Sequence, residues 1–186
     1  EEALSTGTMS LQSSDLELSV DGSTEQMVGI HFKNVDIPPG TQIARALIGF
    51  AVDENSSGNL NLVISGHNVS DSPDFTSADK DITLREPTQA TVNWSPGPWS
   101  VTGTSQSDLL TSDLSSIVQE IVNRPDWARG GALTFTFSRS ESNGGSGNRV
   151  AVSLEGNATK AANLVVISKA KEGVSYTQPT PTPTLK

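Results

Sequence analysis

Asp15 and Glu17 stand two residues apart in the run Asp15-Leu16-Glu17-Leu18-Ser19-Val20. In an extended chain such a pair projects from one side of the strand, roughly 6.5–7 Å apart. Carboxylates held this way bind hard cations or divide acid and base roles. Two readings follow: a solvated strand face, or a structural calcium site shared with Asp21 and Glu155. Glycoside hydrolysis finds no support, because its carboxylates work in clefts lined by sugar-stacking aromatics and only 5% of this chain is aromatic.

Three tryptophans invite the same test. Trp94 shares a strand face with Ala90 and Val92, and Trp99 shares one with Val101, which suits a core. Trp127 follows the Asn123-Arg124-Pro125 stop of a helical segment and is placed to cap its end. Core packing is one reading of all three. A platform on which a sugar ring stacks, made by Trp99 or Trp127, is the other.

The remaining chemistry is mostly excluded. With no Cys, the chain has no disulfide scaffold, thiol nucleophile, thiolate zinc site or iron–sulfur ligand set. Its two histidines, His31 beside Lys33 and His67 after Gly66, lack a third ligand at metal-site spacing and read as surface residues. No Gly-x-Ser-x-Gly elbow occurs, and Gly144-Gly145-Ser146-Gly147 lacks the Lys-Ser/Thr of a phosphate loop. The expectation is a protein that is not an enzyme. Asn55, Asn68, Asn93 and Asn157 each open an Asn-x-Ser/Thr glycosylation pattern.

These residues belong to a chain of 186, with 12 Lys and Arg against 21 Asp and Glu and a net charge of −9. Such a balance repels phosphate backbones, so nucleic acid is not an expected partner. The longest apolar stretch, Ala46–Val52, is far shorter than a bilayer-spanning helix of about 20 residues, so membrane insertion is not expected. With 26 Ser and 18 Thr, the composition is that of a β-rich extracellular module, and the Glu1-Glu2 opening suggests a processed or excised chain. Localisation is expected to be secreted or at the cell surface.

Period-two patterning dominates. Leu16, Leu18 and Val20 alternate with polar neighbours, as do Val28, Ile30 and Phe32. Ile43–Val52 reads as a central strand, and Leu60-Leu62-Ile64, Ile82-Leu84, Ala90-Val92-Trp94, Trp99-Val101, Leu133-Phe135-Phe137, Val150-Val152-Leu154 and Leu164-Val166 continue the series. One segment departs: Leu114, Ile117, Val118, Ile121 and Val122 are at helical spacing, with Asp113 as N-cap. The expected fold is an all-β, jelly-roll-type antiparallel sandwich over residues 13–170 with one short helix near 113–123. Residues 1–12 form an N-terminal extension, either a leader or an extra strand, and residues 171–186 a Pro/Thr-rich linker or tail.

In this order of features the chain resembles a DNRLRE-type domain, a secreted β-sandwich related to carbohydrate-binding modules, in its cell-surface variant. The resemblance rests on Ser13–Leu18, Gly29-Ile30-His31-Phe32, the stretch from Val35 to Ile43, Trp94-Ser95-Pro96-Gly97-Pro98-Trp99, and Asp113–Val122, and it covers roughly residues 13–168. Val152 departs from it, standing where members carry a carboxylate. The resemblance implies a non-catalytic module binding polysaccharide or a cell-surface glycan, with a structural calcium common in related sandwiches. The alternative is a structural subunit of an extracellular assembly (a surface layer, stalk or filament) that self-assembles through its terminal segments.

Overall fold

The computed structural model describes residues 1–101 and 109–169; the expected Pro/Thr tail, residues 171–186, lies outside the described residues. Among the described residues ten strands and one helix follow in the order β1 (Glu2–Ala3), β2 (Asp15–Glu17), β3 (Val20–Asp21), β4 (Thr24–Phe32), β5 (Ile43–Gly49), β6 (Leu62–Gly66), β7 (Val92–Trp94), α1 (Ser115–Val122), β8 (Leu133–Arg139), β9 (Val150–Val152) and β10 (Asn163–Ser168). The fold is all-β, built of antiparallel sheets with one short helix.

The larger sheet runs β1-β4-β8-β6-β7, with β3 also paired to β4. Its inner face follows the period-two pattern: Val28 opposes Phe137 and Ile30 opposes Phe135, all buried. The opposing layer is assembled from pieces. β10 pairs with β5, and β9 pairs with β2. Beyond the end of β5, Val152 donates its N–H to Ala51 and Asp53 donates to Val150. β9 and β10 thus lie end to end along one edge of the β5 strand, interrupted by the excursion 153–162. The other edge of β5 is covered by residues 109–114, through Phe50 N–H to Leu109 O and Thr111 N–H to Ile48 O.

One hydrophobic core fills the space between the layers. Phe50 stacks on Trp94 with ring centroids 5.5 Å apart and an 11° interplanar angle, and Trp99 lies 5.9 Å from the same ring. Helix α1 closes one end, burying Ile117, Val118, Ile121 and Val122 against β5 and β6. Gly66 permits this approach, since a Cβ there would come within 2.7 Å of Ile117 Cγ2.

Several expectations are corrected. Asp113 is not the N-cap; Leu114 holds that position, and Asp113 Oδ1 instead accepts from Ser115 N–H (3.0 Å) and Ala46 N–H (2.9 Å), tying the helix start to β5. Ile82-Leu84 is a turn rather than a strand, because Leu84 N–H bonds Lys80 O and the Glu2 carboxylate takes the N–H groups of Ile82 and Thr83. Of the two alternatives for residues 1–12, a leader or an extra strand, the structure has a strand: Glu2 pairs with Met27 and is 1% exposed.

Candidate functional site

The outer face of the large sheet is polar by alternation, yet the segment 67–88 folds down over it. Phe75 reaches β4 at Gly29, where a Cβ would come within 2.4 Å of its Cζ, and Arg85 lies over the ring, 4.3 Å from its centroid. Arg85 also donates to Pro73 O and Asp74 O and pairs with Asp81, so a single guanidinium organises the segment. His31 in β4 and Lys33 just past its end both reach Asp74: His31 Nε2 is 3.1 Å and Lys33 Nζ 2.7 Å from its carboxylate oxygens. The Lys33 hydrogen bond holds the Asp74 carboxyl below its ordinary value, while burial lowers His31.

Beside this cluster opens a pocket of about 550 Å³, lined among others by Gln12, His31, Lys33, Asp74, Phe75 and Glu155. It adjoins a larger groove of about 1310 Å³ between the Phe32–Ile43 segment and β10, and the two share Phe32, Lys33 and Ala162 in their walls. Together they offer aromatic and aliphatic surface edged by amide, carboxylate and ammonium groups. That mixture matches the two faces of a sugar: C–H groups that pack on rings and hydroxyls that take directional hydrogen bonds.

The tryptophans expected as a platform are not in it. Trp99 is 2% and Trp127 4% exposed. Trp99 packs with Phe50 and Trp94, and Trp127 Nε1–H donates to Ile37 O at 3.0 Å, so both rings serve the core. Phe75, half-buried like Phe32, is the aromatic that the loop brings to the pocket wall. Sequence reasoning passed over it because it sits in a polar loop without periodicity.

The four expected calcium ligands do not converge. Asp15 lies with Asp53 and Glu54, from the chain just beyond β5, with one carboxylate oxygen of each within 4.8 Å of the others. Glu17 turns instead toward Glu1, whose Oε1 accepts the Glu17 N–H at 2.6 Å. Burial first, then the Glu1 side chain, pushes the Glu17 carboxyl up to about 8. Asp21 is exposed on the short strand β3, and Glu155 lies in the 153–162 excursion at the pocket wall.

The chain also carries a buried structural cation of its own. Arg149, 1% exposed, donates to the carbonyls of Gly97 (2.6 Å), Ser57 (3.1 Å), Gly58 (3.0 Å) and Pro96 (2.8 Å), clamping the Trp94–Trp99 loop to the turn before Leu60. Comparison with protein-family models, with curated proteins and with solved structures finds no match.

Proposed function

We propose that the chain is a non-catalytic module, secreted or held at the cell surface, that binds polysaccharide along the pocket beside Phe75 and the adjoining groove. The reading agrees with the resemblance to DNRLRE-type domains. The observation that carries it is the position of Phe75, His31, Lys33 and Asp74 in the wall of a pocket of about 550 Å³ that shares Phe32, Lys33 and Ala162 with a groove of about 1310 Å³. Lys33 and Asp74 are exposed and can exchange their mutual bond for ligand hydroxyls. Affinity electrophoresis through gels containing neutral or acidic polysaccharides tests it: retardation that weakens in Lys33→Ala and Asp74→Asn supports the reading, and free migration in every gel ends it. A calcium ion, if the module uses one, belongs with Asp15, Asp53 and Glu54 rather than with Glu17, Asp21 and Glu155.

The second reading, a subunit of an extracellular assembly, is favoured by one specific feature. Ala46, Ile48 and Phe50 direct their N–H groups toward residues 109–113, so Arg45, Leu47 and Gly49 bond β10. By alternation, the N–H and C=O groups of Leu164 and Val166 face away from β5, and among the described residues no strand pairs with that edge. Val165 and Ile167 are exposed there, and β10 carries no charge. An extended terminal segment of a second copy would add along it. Val166→Pro removes an outward N–H and spares the bonds to β5. Sedimentation equilibrium showing wild-type association lost in this variant supports assembly, and a monomeric wild type at high concentration opposes it.

A further inference from the structure

The chain's two histidines are joined through two hydroxyls beneath the 67–88 segment. His31 Nδ1 is 2.9 Å from Thr134 Oγ1, Thr134 Oγ1 is 2.7 Å from Ser72 Oγ, and Ser72 Oγ is 2.9 Å from His67 Nδ1. Thr134 is 0% and Ser72 4% exposed, so the middle of this chain is shielded from bulk water. At such distances each of the three contacts must contain a hydrogen, since two facing lone pairs in a buried site repel and leave both groups unsatisfied. The two hydroxyls supply two hydrogens. The third comes from an imidazole: one of the two Nδ1 atoms is protonated and the other is bare.

Asp74 decides which. Its carboxylate, 3.1 Å from His31 Nε2, requires a hydrogen on that nitrogen. Neutral His31 therefore has a bare Nδ1, which accepts from Thr134. Thr134 accepts from Ser72, and Ser72 accepts from His67 Nδ1–H and from Arg85 Nη1–H at 3.1 Å. His67 is held in its Nδ1–H tautomer by a carboxylate at the other end of the relay.

We propose that His31 and His67 form one titrating unit, in which uptake of a proton reverses the hydrogen bonds through Thr134 and Ser72 and moves the His67 hydrogen from Nδ1 to Nε2. The balance closes. A proton binds at His67 Nε2, His67 passes its Nδ1 proton to Ser72, Ser72 passes its own to Thr134, and Thr134 passes its own to His31 Nδ1. The charge settles on His31 because Asp74 faces it, with Asp71 beyond, against Lys33 and Arg85; around His67, Arg85 opposes a charge and Asp81 favours one. Two imidazolium rings would fill both outer contacts and turn one of the two buried hydroxyl hydrogens out of the relay, so the second proton is disfavoured beyond simple charge repulsion. Burial already lowers both rings from their ordinary value. The relay makes the pocket-lining His31 and the more distant His67 respond as one to pH, and it stands whether or not the pocket binds a glycan.

Long-range proton–nitrogen NMR of the imidazoles across the acid to neutral range tests this. The wild-type protein should show His31 as Nε2–H and His67 as Nδ1–H at neutral pH, and on acidification His67 should become Nε2–H at the same midpoint at which His31 becomes imidazolium. Thr134→Val cuts the relay and should separate the two midpoints and return His67 to Nε2–H; Ser72→Ala should do the same. His67 found as Nε2–H in the neutral wild type, or wild-type midpoints that differ, overturns the proposal, and these wild-type readings decide it even where a variant fails to fold.

Discussion

Gly29 lies directly under the ring tip of Phe75: a Cβ on residue 29 would come within 2.4 Å of Phe75 Cζ and 3.2 Å of Ile82 Cδ1. The segment over the outer sheet face is thus seated on a missing side chain. Gly29→Ala should displace Phe75 and cost about 1–3 kcal/mol, as overpacked sites do. Urea unfolding checks it, with a lower midpoint at unchanged slope expected.

Arg149 donates only to carbonyl oxygens in the bonds described above, and its fork spans the loop 96–97 and the turn 57–58. Lysine cannot reproduce that fork. Arg149→Lys should leave buried carbonyls without donors at about 1–3 kcal/mol each before relaxation, enough to lower the unfolding midpoint more than any surface substitution. A variant as stable as wild type would show the clamp to be redundant.

Glu17 sets a pH dependence. Its folded value of about 8 lies above the ordinary 4.5, so the folded state favours the neutral acid. The contribution is present below about 4.5 and is lost as pH rises through about 8. Glu17→Gln should therefore gain stability relative to wild type as pH rises across that window, read as the difference in Tm between the two proteins. A difference independent of pH contradicts it.

If calcium binds at Asp15, Asp53 and Glu54, it relieves repulsion among carboxylates in a chain of net charge −9. Tm should then rise on adding calcium, fall back with chelator, and lose this response in Asp53→Asn. Equal Tm in calcium and chelator removes the ion from the account.

What the sequence made legible was local. The alternation in Val28-Gly29-Ile30 and Phe135-Thr136-Phe137 places the core face correctly because strand geometry alone decides it. The helical spacing from Leu114 to Val122 is read the same way. What escaped depends on partners distant in sequence. The spacing of Asp15 and Glu17 says they leave one side of a strand, but Asp53 and Glu54 meet the first and Glu1 the second. His31 and Thr134 look like solvent-facing positions until segment 67–88 covers them. Ile82-Leu84 alternates like a strand, yet the buried Glu2 carboxylate takes its N–H groups and stabilises a turn. Trp99 and Trp127 are buried, as the core reading of the tryptophans expected, and the platform reading fails because both rings pack inward.

The most direct test of the glycan reading is a titration of the isotope-labelled protein with soluble oligosaccharides, followed by amide and side-chain NMR shifts. Saturable shifts are expected at Gln12, Lys33, Asp74 and Phe75 along the pocket, extending to Asn163 and Lys169 with longer chains. Shifts confined to residues outside the pocket and groove, or none with any neutral or acidic oligosaccharide, would contradict it.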